Sequence, residues 1–397
     1  MTYYRRVGEV PRKRHTRHEV DGTIMAEELV GEEGFSGPSS LLYHRHSPSA
    51  VIGIEQADVT APSEFAPNQP VRPYHLRTTE LPAGAGDAVT SRIALLGNAD
   101  IALSYVTATH TSPLYRNAVG DELAYVQSGE AVVESVFGRM PVHAGDYVVV
   151  PTGVTHRWVV GDQAGSAAAP PARLLMFESR SHVRIPARYL TPTGQLAEGA
   201  PFSERDQRGP QPEPLLMDGT DVEILVRTRG GYSRHLHRHH PFDVVGWDGC
   251  VYPWALSIHD FEPIVGRIHQ PPPVHQTFAG PGFVICSFVP RLFDFDPDAV
   301  KVPYHHANVD SDEVLFYSGG DFMSRAGSGI GVGSISLHPA GFVHGPQPGS
   351  RERSEGQDRT GELAVMLDTS APLGLASAAH DVSDPDYPYS WAGGRPS

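Results

Sequence analysis

HANVDSDEVLFYSGGD, residues 306–321, has a counterpart earlier in the chain, YRNAVGDELAYVQSGE, residues 115–130. In each, an asparagine stands five positions before a glutamate (Asn117 and Glu122; Asn308 and Glu313), and a glycine stands seven positions after it (Gly129; Gly320). Further on, VPTGVTHRW (150–158) matches HPAGFVHGP (338–346), with Pro, Gly and His in the same spacing. Similarity at a fixed register is the mark of an internally repeated architecture. Around both copies run short apolar segments rich in Val, Ile, Tyr and Phe: RIALLG, IALSYVTATH, ELAYVQSG, DYVVVPTG and ARLLMFES in the first half. VEILVRTRG, FVICSFVP, EVLFYSGG, SISLHPAG and LAVMLDTS follow in the second. Runs of this length and composition between turn residues predict strands, and few segments show helical periodicity.

The expected fold is therefore β-rich, nearly all-β, with two barrels or sandwiches. The chain divides into an irregular N-terminal arm (1–50), a first β domain (51–198), a Pro- and charge-rich linker (199–216), a second β domain (217–370) and a loosely ordered tail (371–397). At 397 residues, two domains are the default expectation. Net charge is −15, which argues against a nucleic-acid or anionic-membrane partner. The basic patch RRVGEVPRKRHTRH (5–18) reads as solvated. Two cysteines, Cys250 and Cys286, provide no disulfide framework, and Cys286 lies in an apolar strand as a core residue. No apolar run has the length of a membrane span or a signal peptide, so a cytoplasmic location is expected. The 21 histidines direct attention to metal ligands.

The repeated pattern resembles the cupin signature, a His-x-His, Glu and Gly motif followed by Pro-x-Gly-x-x-His; the two domains are accordingly expected to be cupin-like jelly-roll barrels. In the second copy the motif reads His306-x-Asn308-x4-Glu313-x6-Gly320, then Pro339-x-Gly341-x-x-His344. Asparagine replaces the second histidine, leaving His306, Glu313 and His344 as the candidate ligands. Two imidazoles and one carboxylate, with open positions for substrate and O2 together, are the arrangement of a non-haem Fe(II) centre. A catalytic zinc site would need only one open position. Asp312 is the rival carboxylate, but the Glu-to-Gly spacing shared with the first copy favours Glu313. His305 reads as a structural histidine. The first copy has Tyr115 in place of His306 while keeping Glu122 and His156, so it is expected to hold no metal and to serve a structural or oligomerising role.

Longer stretches resemble the homogentisate 1,2-dioxygenases. They are HPFDVVGWDGCVYPWALSIHDFEPIVGRIHQPPPVHQTF (240–278), PYHHAN with its following Glu, GSISLHPAGFVHGP (333–346) and the early AEELVGEEGFSGPSSLLYHRHSPS (26–49). The resemblance implies Fe(II) on His306, Glu313 and His344, with His338 beside metal or substrate. It implies an acid/base histidine, for which His269 is the best match and His275 the rival. An imidazole titrating near neutrality suits the transfer of a substrate hydroxyl proton. The implied reaction inserts both atoms of O2 into a hydroquinone bearing an acetate arm, giving maleylacetoacetate in aromatic catabolism. The partners are then a small aromatic substrate and O2, in a homo-oligomer (trimer or hexamer).

One departure bears on the substrate. An aromatic hydroxyl of the family falls on Phe322 here, and Arg325 is the nearby alternative for the substrate carboxylate, by a charge-assisted contact. This leaves two other readings: a cupin dioxygenase for another dihydroxylated aromatic such as gentisate, and a non-catalytic bicupin that binds metal. RHLHRHH (234–240) and GSGIGVG (327–333) read as loop and strand connection: the first lacks a carboxylate at ligand spacing, the second a strand-turn-helix context.

Overall fold

The apolar runs form strands where their composition places them, and the strands stack in three layers. The computed structural model describes residues 3–59, 64–82, 84, 86–161, 170–325 and 327–393; the last four residues of the expected tail lie outside them. One outer layer is a seven-stranded sheet that includes Glu130–Ser135, His156–Val159, Tyr115–Asn117, Thr220–Thr228, Gly231–His239 and the edge strand Val51–Gln56. The middle layer is an eight-stranded sheet centred on Asp146–Val150, Glu122–Ser128, Ala172–Ser179 and Ile101–Ala108. The other outer layer has six strands: Gln276–Gly280, Phe283–Phe288, Leu363–Thr369, Asp312–Gly319, Ser334–His338 and Tyr74–Arg77.

Side-chain contacts fix the stacking. Arg227 in the seven-stranded sheet pairs with Glu178 in the middle sheet at 3.0 Å. On the middle sheet's other face the Tyr147 hydroxyl lies 2.8 Å from Ser287 Oγ, and the Tyr147 ring packs edge-on to Phe278 at 5.1 Å. A sheet covered on both faces has no solvent side, which explains why Asp146–Val150 is buried at every residue instead of alternating. Such a strand reads as a continuous apolar run.

Both copies of the motif place their glutamate in the first turn-proximal positions of a central strand, and both close it with a glycine that backbone geometry demands. Gly129 (φ +81°) and Gly320 (φ +93°) are left-handed, and a Cβ there would stand 2.6 Å from Pro171 O and 1.9 Å from Gly361 O respectively. No other residue type fits those two positions without moving backbone.

The expected β-rich fold is present as stacked sheets, no single one of which closes on itself among the described residues. Three expectations change. The strands Thr220–Thr228 and Gly231–His239, expected in the second domain, pair instead with the first copy, Thr220–Thr228 running parallel to Tyr115–Asn117. Strand partners far apart in the chain leave no local signal, so a linear division misses them. The N-terminal arm is not irregular: Arg5–Gly8, Ala26–Gly31 and Ser39–His44 form a four-stranded sheet with Val244–Gly249. Trp247 of that sheet donates its indole N–H to Phe137 O at 2.9 Å and so docks the arm on the first copy. The tail is also ordered as far as it is described, ending in a short helix, Ser377–Asp381, and a 3-10 turn, Tyr387–Ala392. Among the described residues no helix is long and apolar enough to cross a membrane.

Candidate metal centre

Strand alternation divides the residues of Asp312–Gly319 between two environments. Phe316 points into the middle sheet and meets the Tyr125 ring at 6.1 Å, whereas Glu313 and Leu315 point to the other side, into a cavity of about 420 Å³. Asp312 faces away from that cavity, its carboxylate accepting from the backbone N–H of Ala340 and of Leu373, each at 2.8 Å. The rivalry between the two neighbouring carboxylates is thus resolved by the period of the strand. Asp121 does the same work in the first copy, accepting from the N–H of Thr152 and Val183 at 2.9 Å each.

His306 and His344 are brought side by side by a two-bond backbone bridge, each N–H donating to the other's carbonyl at 2.8 Å. The turn carrying His344 is anchored by Gly341 N–H donating to the main-chain carbonyl of Asn308 at 2.6 Å. The imidazoles then converge on Glu313: His344 Nε2 is 3.1 Å from Oε1 and His306 Nε2 is 3.5 Å from Oε2. One donor atom from each of His306, Glu313 and His344 lies within 4.8 Å of the others, the one group of at least three such side chains among the described residues that could hold a metal ion. The fit is chemical as well as geometric. Burial alone would raise the Glu313 carboxyl, but contacts from His306, His338 and His344 hold it well below the usual carboxylate range, so the group facing the imidazoles is an ionised carboxylate.

His338 lies against the candidate ligands rather than in the cavity. It is 1% exposed, does not line the cavity, and puts Nδ1 3.0 Å from Glu313 Oε1, stacking on His344 at 4.1 Å. Expected beside the metal or the substrate, it stands behind the Glu313 carboxylate, at the end of the strand Ser334–His338 and away from the cavity. Arg325 does line the cavity, yet it is buried and donates from Nε to the Tyr317 hydroxyl (3.2 Å) and from Nη1 to Gly345 O, with its guanidinium 5.9 Å from the Trp391 ring. Phe322 packs edge-on to Tyr317 at 5.0 Å in a small apolar cluster and does not line the cavity. His305 is exposed.

The two acid/base candidates both line the cavity but differ in surroundings. His269 is 54% exposed at the mouth, with Nδ1 3.4 Å from Asp294 Oδ2 and its ring 5.3 Å from Tyr304, which in turn meets His306 edge-on at 6.0 Å. His275 is stacked on Phe288 at 4.5 Å with Nδ1 3.2 Å from Ser287 O. Burial, aided by Arg291, pulls its pKa down to about 3, so it stays neutral and takes up a proton poorly. Two further carboxylates, Glu362 and Asp368, lie in the same wall, and burial and then the charge of Glu313 push Asp368 up to about 7.

The first copy shows how the same scaffold looks with a different cation. Tyr115 and His156 are backbone partners as His306 and His344 are, and His156 Nδ1 lies 3.0 Å from Val154 O just as His344 Nδ1 lies 3.0 Å from Phe342 O. Glu122 is met by the guanidinium of Arg92, Nη1 to Oε1 at 2.6 Å and Nη2 to Oε2 at 3.0 Å. The Tyr115 hydroxyl and the Asn117 amide add donors to Oε1 at 2.9 and 3.0 Å. A buried arginine thus supplies the positive charge that the carboxylate requires. Nothing in the sequence around Arg92, TSRIALLG, marks it for this role.

The residues at 104–167 match the cupin domain family. A Saccharolobus solfataricus protein bearing the name "Putative dioxygenase SSO1533" is 40% identical over 395 residues, covering 98% of this chain and 99% of that protein. The homogentisate 1,2-dioxygenase of Bradyrhizobium diazoefficiens is 26% identical over 305 residues, 72% of this chain and 64% of that enzyme. That of Emericella nidulans is 25% identical over 281 residues, 66% of this chain and 59% of that enzyme. The match therefore spans less than two thirds of either homogentisate dioxygenase. Among solved structures, protein Ylba from E. coli aligns with a TM-score of 0.37 at 9% identity, covering 79% of this chain and 95% of that one, a likeness too low to carry an argument. A β-rich fold with a duplicated motif of this spacing defines a cupin. With a full-length relative at this level of identity, the chain belongs to the cupin dioxygenase family.

Proposed function

We propose that this cytoplasmic enzyme is an Fe(II)-dependent ring-cleaving dioxygenase that converts homogentisate, or a close dihydroxylated aromatic acid, with O2 to maleylacetoacetate or its analogue. The observation that carries the reading is the convergence of His306, Glu313 and His344 beside a cavity that His306 and Glu313 line and that is large enough for a single-ring substrate. The distant homogentisate dioxygenase relatives support the substrate class. Fe(II), when bound, supplies a redox-active Lewis acid with positions open to substrate and O2.

The chain's own residues do the rest. His269, whose Nδ1 lies 3.4 Å from Asp294 Oδ2, takes the proton from the substrate hydroxyl at the cavity mouth. His275, held neutral, and Phe288 form an apolar flank for the ring. Arg325 is the nearest buried cation to a substrate carboxylate, although two of its donors are already committed to Gly345 O and the Tyr317 hydroxyl. That commitment, with Glu362 and Asp368 in the same wall, favours as second reading a dihydroxylated aromatic whose acid group is placed differently, such as gentisate. A non-catalytic metal-binding role is the third.

Product absorbance after anaerobic loading with Fe(II) and addition of air separates the three. Ring-opened product from homogentisate supports the first, product from gentisate alone the second, and no product from either the third. His269→Ala is expected to lower turnover by about 10²–10⁴-fold while leaving iron content unchanged, as measured on the same sample; equal loss in His275→Ala and none in His269→Ala would reverse the assignment.

A further inference from the structure

We infer that Tyr387, in the C-terminal 3-10 turn, is a positioning residue for the metal centre, acting through His338 to hold Glu313 in its ligating pose. The inference rests on the reading of His306, Glu313 and His344 as the metal ligands. It starts from an accounting of buried donors and acceptors. Glu313 is the carboxylate of the centre, and its Oε1 accepts from His338 Nδ1 at 3.0 Å. An imidazole whose one proton sits on Nδ1 accepts at Nε2. The group found there is the Tyr387 hydroxyl, 3.0 Å away. Tyr387 and His338 are each 1% exposed, so no water competes for these bonds.

The chain Tyr387 O–H to His338 Nε2, then Nδ1–H to Glu313, fixes the histidine tautomer and the carboxylate rotamer together. Outer groups of this kind orient ligands and tune the affinity of the metal they never touch. The same turn also grips the loop that carries His344. Trp391 donates its indole N–H to Gly345 O at 3.0 Å, and the Gln347 side-chain amide donates to Ser390 Oγ at 2.9 Å. Residues 387–391 thus form the rear wall of the centre, and they contact two of its three ligands only through intermediaries.

Cobalt(II) titration of the full chain without oxygen, read from its visible absorption, tests this. Tyr387→Phe keeps the ring packing and removes only the hydroxyl. It is expected to bind Co(II) about tenfold more weakly than the unaltered chain, with the unfolding midpoint of the metal-free protein unchanged. If the hydroxyl acts through His338, Tyr387→Phe has no further effect on affinity in a His338→Gln background. An unchanged affinity in Tyr387→Phe overturns the inference, and so does an equal tenfold loss in the His338→Gln background. A fall in metal-free stability that accounts for the weaker binding also overturns it, since Tyr387 would then be packing alone. Failure of the unaltered chain to bind Co(II) removes the metal reading itself, and this inference with it.

Discussion

His306→Ala yields a folded protein with no bound iron and no oxygen uptake. The side chain supplies one of three donor atoms and is the most exposed of the three, at 32%, so its removal leaves no large buried void. Loss of an outer group costs about 10–100-fold in metal affinity, and loss of a direct donor exceeds that. The chain carries its own precedent in Tyr115, which stands at the equivalent position of the first copy, where an arginine rather than a metal satisfies the carboxylate. Iron content by elemental analysis and oxygen uptake, measured on the same preparation, check the result. An iron-replete or active variant would exclude His306 as a ligand.

The largest effect on stability is expected from Arg92→Leu. Arg92 and Glu122 form a bidentate pair inside the first copy, with the Glu122 side chain 2% exposed. Removing one partner of such a pair strands the other charge in a dry site, which costs about 3–5 kcal/mol. The guanidinium unfolding midpoint should fall accordingly, while the iron content of the second copy is unchanged. Arg92→Leu combined with Glu122→Gln should recover much of the loss, because the stranded charge is then gone. The pH dependence has a defined sign. Burial would raise the Glu122 carboxyl, but the charge and hydrogen bonds of Arg92 outweigh it and hold the pKa at about 2, below the ordinary 4.5. The stability this group contributes is therefore present above the ordinary value and is lost as pH falls from there through about 2. Arg92→Leu should begin to protonate Glu122 at higher pH and so lose that dependence. An unchanged midpoint would show that the pair contributes nothing net.

What could be read in advance follows from where the information lies. The candidate ligand set was legible because strand period and turn chemistry are local: Asn308, Glu313 and Gly320 sit at spacings set by one turn and one strand, and Gly320 is forced by its backbone. The preference for Glu313 over Asp312 rested on the Glu-to-Gly spacing shared with the first copy, and of the two carboxylates Glu313 is the one that faces the cavity. Arg92 and Tyr387 were invisible because Arg92 reaches Glu122, and Tyr387 reaches His338, from another part of the chain, with no motif of its own. The pairing of Thr220–Thr228 with Tyr115–Asn117 was missed for the same reason. His338 was placed near the metal by resemblance, but only the packing of Tyr387 behind it shows that it serves the carboxylate. Phe322 weighed on the substrate as an absent hydroxyl; its packing on Tyr317, away from the cavity, shifts that weight to Arg325 and the acidic wall.

Oxygen uptake by the Fe(II)-loaded chain on addition of homogentisate tests the central claim most directly. One O2 consumed per molecule of homogentisate, with ring-opened product and dependence on one iron per chain, is the expected result. Iron bound at one per chain without oxygen uptake from homogentisate, gentisate or related dihydroxylated aromatic acids would contradict it, leaving a cupin that holds metal without the proposed chemistry.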